Sequence, residues 1–396
     1  MKILMLTPYL PYPLYSGGQI RSYNLLKNLA KKHEITLFSF IREESEREHI
    51  KELEKFCKKV EVVKRRKAWS PINIGIAGFS PFPFLISLYY SPEATKIIKK
   101  LIDRENFDLI HAECFYVTPT IPETDIPILL VEQTIEFMVY QHFVETNKCW
   151  FLKPLLYLDV FKIKKWEKFY WKKAKKVIAM SSSDKKIMKL LVKDLDVDIV
   201  PNGVDTERFK FRVSRERDNN KRILFVGNFK WLQNKEAALV LLNKIWPEIK
   251  KKMDGVKLWI VGLNPPEEIK KYDGEAVNVD GGVKDIADAY YSSDLLLAPI
   301  YGGGGTRYKI LEAMACGVPV VTTKVGIEGL GAEDREDVLI ANEPERLADV
   351  CVEILKNGGL RKKIVRNARK MVEKKYNWGK IAGKLDKIYK EVGGEK

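Results

Sequence analysis

The sequence predicts two doubly wound α/β domains in one chain, and three observations carry that expectation. Short apolar runs alternate with amphipathic stretches along the chain. The runs are apolar at successive positions, as expected for strands covered by helices on both faces. The series also starts afresh after a polar stretch near the middle. With 396 residues, 45% of them hydrophobic, the chain has material for two cores rather than one.

The first series opens with Ile3–Thr7, the breaker-rich Pro8–Gly18, and Ile20, Leu25, Leu26 and Leu29 at helical spacing. Further strands are expected at Ile35–Phe40, Val60–Val63, Leu109–His111, Ile128–Val131, Val177–Met180 and Asp198–Val200. Ser214–Arg222, SRERDNNKR, offers almost nothing to bury and is read as the linker. The second series has strands at Ile223–Val226, Lys257–Val261, Ala276–Val279, Leu295–Ala298, Val318–Thr322 and Val338–Ile340. Its helices are expected over Lys235–Ile249, Ile286–Tyr291, Arg307–Ala315, Pro344–Lys356 and Leu360–Lys375. The domains are therefore set at 1–213 and 214–375, with 376–396 as a terminal helix. Ligands of such sheets bind at the carboxyl ends of the strands.

Composition narrows the function. There are 69 Lys and Arg against 53 Asp and Glu, a formal charge of +16. This favours anionic partners, yet no nucleic-acid-binding module is recognisable, so nucleic acid is not expected. Four histidines and five cysteines without metal-ligand spacing imply no metal and reduced thiols, hence a cytoplasmic protein. The opening MKILMLTPYLPYP reads as a buried strand rather than a leader, and no run reaches the length of a spanning helix.

The polar motifs sit at strand ends. Gly17 and Gly18 open the first helix, with Arg21 one turn on. Paired glycines let the backbone approach a ligand, and a helix N-terminus offers N–H donors to anionic oxygens; a plain loop requirement would call for the same residues. The stronger motif runs from Tyr301 through four glycines to Thr306, Arg307, Lys309, Glu312, Gly317 and Pro319. Four glycines are wasteful in a structural turn because each adds unfolded-state entropy. Glycine, cation and carboxylate in that order suit a nucleoside diphosphate, with Gly304, Gly305 and Thr306 near phosphate and Glu312 accepting from a ribose diol. An ion pair from Glu312 to Arg307 or Lys309 is the competing reading. Gly227, Asn228 and Gly262 occupy equivalent strand ends. Ser181–Ser183 reads as a helix cap and Asn202–Gly203 as a turn.

Two segments fit neither sheet nor covering helix. Trp69–Tyr90 is rich in Pro, Gly and aromatics, and suits either a packed connection or a lip for a hydrophobic acceptor. Lys148–Lys176 carries ten lysines against Asp159 and Glu167, interleaved with aromatics. That pattern suits an anionic membrane surface, with a peripheral placement on its inner face; a solvated helix face backed by aromatics would look similar.

These residues resemble the retaining glycosyltransferases of GT-B fold in glycosyltransferase family 4. The likeness rests on TPYLPYPLYSGGQIRSYNLLKNLA, IVPNGVDTERF, LFVGNFKWLQNKEAA and above all GGGGTRYKILEAMACGVPVVTT. It implies two Rossmann-like domains facing across a cleft, an acceptor site mainly in the first and a donor site mainly in the second. Glu312 resembles the family's ribose-binding glutamate, Gly17 and Gly18 its diphosphate-approaching glycines, and Arg307 and Lys309 the basic pair of a GGGTRxKxLE branch. A nucleotide sugar is then the donor, a glycan or lipid-linked molecule the acceptor, and no metal or other cofactor is needed.

The departures from the family pattern are local. Gly304 stands where many members have a second glutamate, and Asn228 where many have a cation, with Lys230 and Lys235 nearby. In the first domain Glu132-Gln133-Thr134-Ile135-Glu136 replaces an xHNxE pattern, so Gln133 takes the histidine position while Glu136 is kept. The implied catalytic set is Arg307, Lys309, Gln133 and Glu136. A nucleotide-sugar epimerase, or a non-catalytic subunit that binds the sugar nucleotide, are the alternatives, the second prompted by Gln133.

Overall fold

A computed structural model describes residues 1–147, 149–212, 221–302 and 307–394. The chain divides into two units, Met1–Pro201 with Ile381–Lys396, and Asn202–Lys380.

The first unit is built on seven parallel strands, β1 (Lys2–Thr7), β2 (Glu34–Ile41), β3 (Lys59–Lys64), β4 (Leu109–Glu113), β5 (Ile128–Val131), β6 (Lys176–Ala179) and β7 (Val197–Ile199). Their order is β3-β2-β1-β4-β5-β6-β7, so the winding reverses between β1 and β4. At such a reversal the loops leaving neighbouring strands splay apart, which is where doubly wound sheets take ligands. Ile3, Leu4, Met5 and Leu6 are all fully buried, as the unbroken apolar run requires of a central strand.

Helix α1 (Gly17–Leu29) follows β1 and is capped by Ser16, whose hydroxyl accepts from the Gln19 N–H. The aromatic segment 69–90 folds into α2 (Pro71–Phe79), capped by Ser70 with proline at its start, and a second short helix over Phe84–Tyr89. Helices α3 (Glu136–Thr146) and α4 (Lys153–Lys173) then precede β6. No residue of its own caps α3; instead Glu167 of α4 accepts from the Glu136 and Phe137 N–H groups at 2.8 and 3.2 Å. Val160, Ile163, Glu167 and Trp171 recur at three- and four-residue spacing as the buried face of α4. Ser181 caps the next helix as its sequence implies.

The second unit repeats the plan with β8 (Arg222–Val226), β9 (Lys257–Val261), β10 (Val277–Asp280), β11 (Leu295–Ala298), β12 (Val320–Thr322) and β13 (Leu339–Ile340). The order β10-β9-β8-β11-β12-β13, again all parallel, reverses between β8 and β11. The helix expected over 235–249 runs as Leu232–Val240, a π-turn at Leu241–Ile245, and Trp246–Lys252. Pro247 has no N–H for the regular ladder, and the wide turn just before it absorbs the missing bond. Helix α5 (Tyr308–Cys316) starts just after Arg307 and ends on Gly317 in left-handed geometry at φ 81°.

Residues 202–212 group with the second unit. Phe209 is buried in its core, and the Val204 and Arg212 N–H groups donate to the carbonyls of Tyr376 and Cys316. The polar stretch read as the linker lies largely outside the described residues. The last helix, α6 (Trp378–Gly393), groups with the first unit from Ile381 onward. Its Asp386 accepts from Lys32 at 2.7 Å and pairs with His33 at 2.8 Å. All five cysteines are free thiols.

Candidate active site

In the second unit two of the loops singled out from sequence meet beside the reversal point, and the start of α5 reaches them through Lys309. Val226 and Val261 are register partners, which sets Gly227 and Gly262 side by side at the strand ends. The Gly227 N–H donates to the Val261 carbonyl at 3.0 Å. A Cβ on Gly262 would lie 1.7 Å from the Gly227 carbonyl oxygen, so this position requires glycine for close backbone approach. Asn228 holds the loop in a local turn, its Oδ1 accepting from the Lys230 N–H at 3.1 Å and its carbonyl accepting from the Asn234 amide at 2.9 Å.

Asn234, which lies within the LFVGNFKWLQNKEAA stretch but is given no role there, links this loop to α5. Its Oδ1 accepts from Lys309 Nζ at 2.8 Å, and the same ammonium stands 5.0 Å from the centre of the Phe225 ring. Arg307 is the residue before α5 and donates to the Gly302 carbonyl at 3.3 Å. Glu312 accepts from the buried Tyr290 hydroxyl at 2.8 Å, and among the described residues it has no ion pair with Arg307 or Lys309. Lys235 is committed to Glu268 at 2.5 Å. Gly304, Gly305 and Thr306 lie outside the described residues.

The electrostatics of α5 follow from its burial. Desolvation, with Arg307 alongside, pushes the Lys309 ammonium down to about 7 against the pull of Glu312. Burial likewise raises the Glu312 carboxyl, opposed by the Tyr290 hydrogen bond and by Arg208 and Lys309. Glu328 acts on Arg307 and Glu312 on Lys309, so the two cations are partly compensated within the unit.

The first unit assembles a different constellation from five stretches of chain. Gly18 lies against Tyr9 and Gln133, where a Cβ would overlap the Tyr9 hydroxyl at 1.6 Å and Gln133 Oε1 at 2.6 Å. The Tyr9 hydroxyl donates to Gln133 Oε1 at 3.0 Å, and Gln133 Nε2 donates to Glu113 Oε2 at 2.7 Å. Glu113, fully buried at the end of β4, also takes His111 Nε2 at 3.1 Å and has Arg21 Nε at 3.9 Å. Because the carboxylate can only accept, His111 carries a proton on Nε2, and its Nδ1 is hydrogen-bonded to the Tyr389 hydroxyl of α6. Burial would raise the Glu113 carboxyl, but His111, Arg21 and Gln133 together hold it below its usual value. Arg21, also fully buried, donates to the Pro201 carbonyl at 3.1 Å.

Glu136 starts α3 beside this group and accepts from the Thr134 hydroxyl at 2.9 Å. Burial pushes its carboxyl up to about 7. Glu132 and Glu167, buried close by, are both held well above the carboxylate range, chiefly by desolvation. Sequence reasoning placed His111 near a strand end but missed Tyr9, Glu113 and Tyr389. Nothing local marks them, because their partners stand up to 278 residues away in the chain. Among the described residues, no cluster of three or more His, Cys, Asp and Glu side chains is placed to hold a metal ion, and no helix is long and apolar enough to cross a membrane.

Two doubly wound parallel sheets, each with glycine-bearing loops near its reversal point, are the two Rossmann-like domains of the GT-B architecture. The chain belongs to glycosyltransferase family 4: residues 15–208 match the model "Glycosyltransferase Family 4" and residues 220–357 match "Glycosyl transferases group 1". A protein of the cps region of Klebsiella pneumoniae, itself uncharacterized, is 25% identical over 98% of this chain and 99% of that one. A phosphatidyl-myo-inositol mannosyltransferase of Mycobacterium leprae is 29% identical over 49% of this chain and 53% of its own length. Among solved structures, sucrose-phosphate synthase of Thermosynechococcus elongatus superimposes over the whole of both chains with a TM-score of 0.75 at 17% identity, a likeness of fold.

Proposed function

We propose that the chain transfers a glycosyl unit from a nucleoside diphosphate sugar to a glycan or lipid-linked acceptor, with retention of configuration and without a metal. The observation that carries this reading is the second unit's reversal point. There the backbones at Gly227 and Gly262 meet, Lys309 is held between Asn234 and Phe225 with its charge poorly solvated, and Glu312 is positioned by Tyr290. In this reading Arg307 and Lys309 take the diphosphate, the glycine loop with Gly304, Gly305 and Thr306 brings N–H donors to it, and Glu312 accepts from the ribose hydroxyls.

The bond that breaks joins the anomeric carbon to the diphosphate oxygen, and the bond that forms joins that carbon to the acceptor oxygen. The acceptor proton passes to the departing phosphate. Charge grows on the diphosphate as the bond lengthens, so oriented cations and N–H donors bind the transition state more tightly than the donor itself. In the first unit, Gly17 and Gly18 are assigned to the donor diphosphate and Gln133 and Glu136 to the reacting sugars. Gln133 cannot exchange a proton, so its role is to position through hydrogen bonds. The lipid acceptor named for the Mycobacterium relative supports a lipid-linked acceptor here.

A thermal-shift screen with UDP-, GDP- and ADP-sugars tests the donor site, followed by mass spectrometry with free and lipid-linked glycans. Saturable stabilisation by one donor and an acceptor-dependent product are expected. Product formed from donor alone would replace transfer by epimerisation, and binding without any product would leave a non-catalytic subunit.

A further inference from the structure

Helix α4 presents an outward face that the fold of the first unit does not use. Leu158, Phe161, Lys165, Phe169 and Lys172 recur at intervals of three and four residues opposite its buried stripe, and all five are exposed. Both carboxylates of the helix are turned away from that face. Asp159 accepts from the Phe84 N–H at 2.8 Å, and Glu167 is buried at the start of α3. The surface left outward is therefore cationic and apolar with no acidic side chain of α4 on it.

The aromatic segment 69–90 extends the same face. Lys162 donates to the carbonyls of Ala77 and Ser80, at 2.7 and 2.9 Å, and so ties the end of α2 to α4. Trp166 fixes the next turn through the Pro81 carbonyl at 2.8 Å. Phe79, between those two anchored carbonyls, is 97% exposed, and Trp150, just ahead of α4, is 78% exposed. A symmetric contact with a second copy would bring the same lysines face to face.

We infer that the outward face of α4, joined by the end of α2, docks the protein on an anionic lipid bilayer. Phe79, Phe161 and Leu158 enter the headgroup boundary while Lys165 and Lys172 meet lipid phosphates. Amphipathic helices bind membranes by this combination of buried apolar area and charge. The proposal stands independently of the transferase reading, since it uses none of that reading's residues.

Co-sedimentation of the full chain with vesicles tests it, using phosphatidylcholine alone and phosphatidylcholine mixed with phosphatidylglycerol. Binding to the mixed vesicles only, weakened by added salt, is expected. Lys165→Glu and Lys172→Glu should each weaken it at least roughly fivefold, the loss of about one lysine's attraction to an anionic surface. Phe161→Glu should abolish it while melting temperature stays unchanged, because the side chain is exposed. Equal binding to both vesicle types, undiminished binding by folded Phe161→Glu, or self-association in place of lipid binding would each overturn the proposal.

Discussion

The two units share one architecture but build their polar sites by opposite means. In the second unit the site is mostly backbone and short-range sequence: glycines at the ends of β8 and β9, and two cations and a carboxylate within six residues of one another around the start of α5. In the first unit it is a side-chain network that joins the buried Arg21, His111, Glu113 and Tyr389 to the part-buried Tyr9 and Gln133. A backbone site leaves ligand-facing groups unshielded and demands glycine. A network site spends its polar groups on one another and fixes a rigid wall. Damage to the network should therefore appear first as lost stability, and damage to the cations first as lost turnover.

Glu113→Gln is the sharpest way to break that comparison. It keeps the shape but removes the charge facing Arg21 and His111, and breaking a buried charged group typically costs about 3–5 kcal/mol. Denaturant unfolding should register a loss on that scale for the first unit. A cost below about 1 kcal/mol, the worth of an ordinary hydrogen bond, would mean the network is not held by charge.

Arg307→Ala should produce the next largest effect, and of the other kind. Loss of one oriented donor to a developing anion lowers turnover by roughly 100-fold, with little change in unfolding. An unchanged rate on a confirmed donor would remove Arg307 from the reaction.

That difference also explains what could be read in advance. The fold was legible because parallel strands covered on both faces are mostly written as apolar runs, and the thirteen strands among the described residues lie within a residue or two of the segments expected. The second unit's loops were legible because Gly-Gly, Arg307, Lys309 and Glu312 are close in sequence. Tyr290 and Asn234 were not, since each acts through a single hydrogen bond to α5 from another element. The Tyr9–Gln133–Glu113 chain was illegible for the same reason, as its members meet only when β1, β4 and β5 are laid side by side. The two carboxylates of α4 are a further case: their inward direction is invisible to a count of charges.

The smallest effect is the most diagnostic, because it has a sign. Desolvation holds Lys309 at about 7, so near neutrality part of the protein lacks that charge. A bound diphosphate would raise the ammonium again, which couples donor binding to uptake of one proton. Affinity should therefore be greatest below about 7 and fall as pH rises through it, by at most about tenfold per unit, one proton's worth. Without donor the sign reverses: the unfolded chain holds the proton that the folded one has lost, so stability rises with pH from about 7 toward the ordinary lysine range. Calorimetry should use an intact nucleotide sugar, whose diphosphate does not titrate in that window, in place of a free diphosphate, which does. Lys309→Arg keeps the charge at every pH and should flatten the affinity profile. Glu312 faces the same ammonium and has a carboxyl raised by burial, so Glu312→Gln separates its own titration from that of Lys309. A slope that survives Lys309→Arg but vanishes in Glu312→Gln would move the proton to the carboxylate and leave Lys309 a permanent cation.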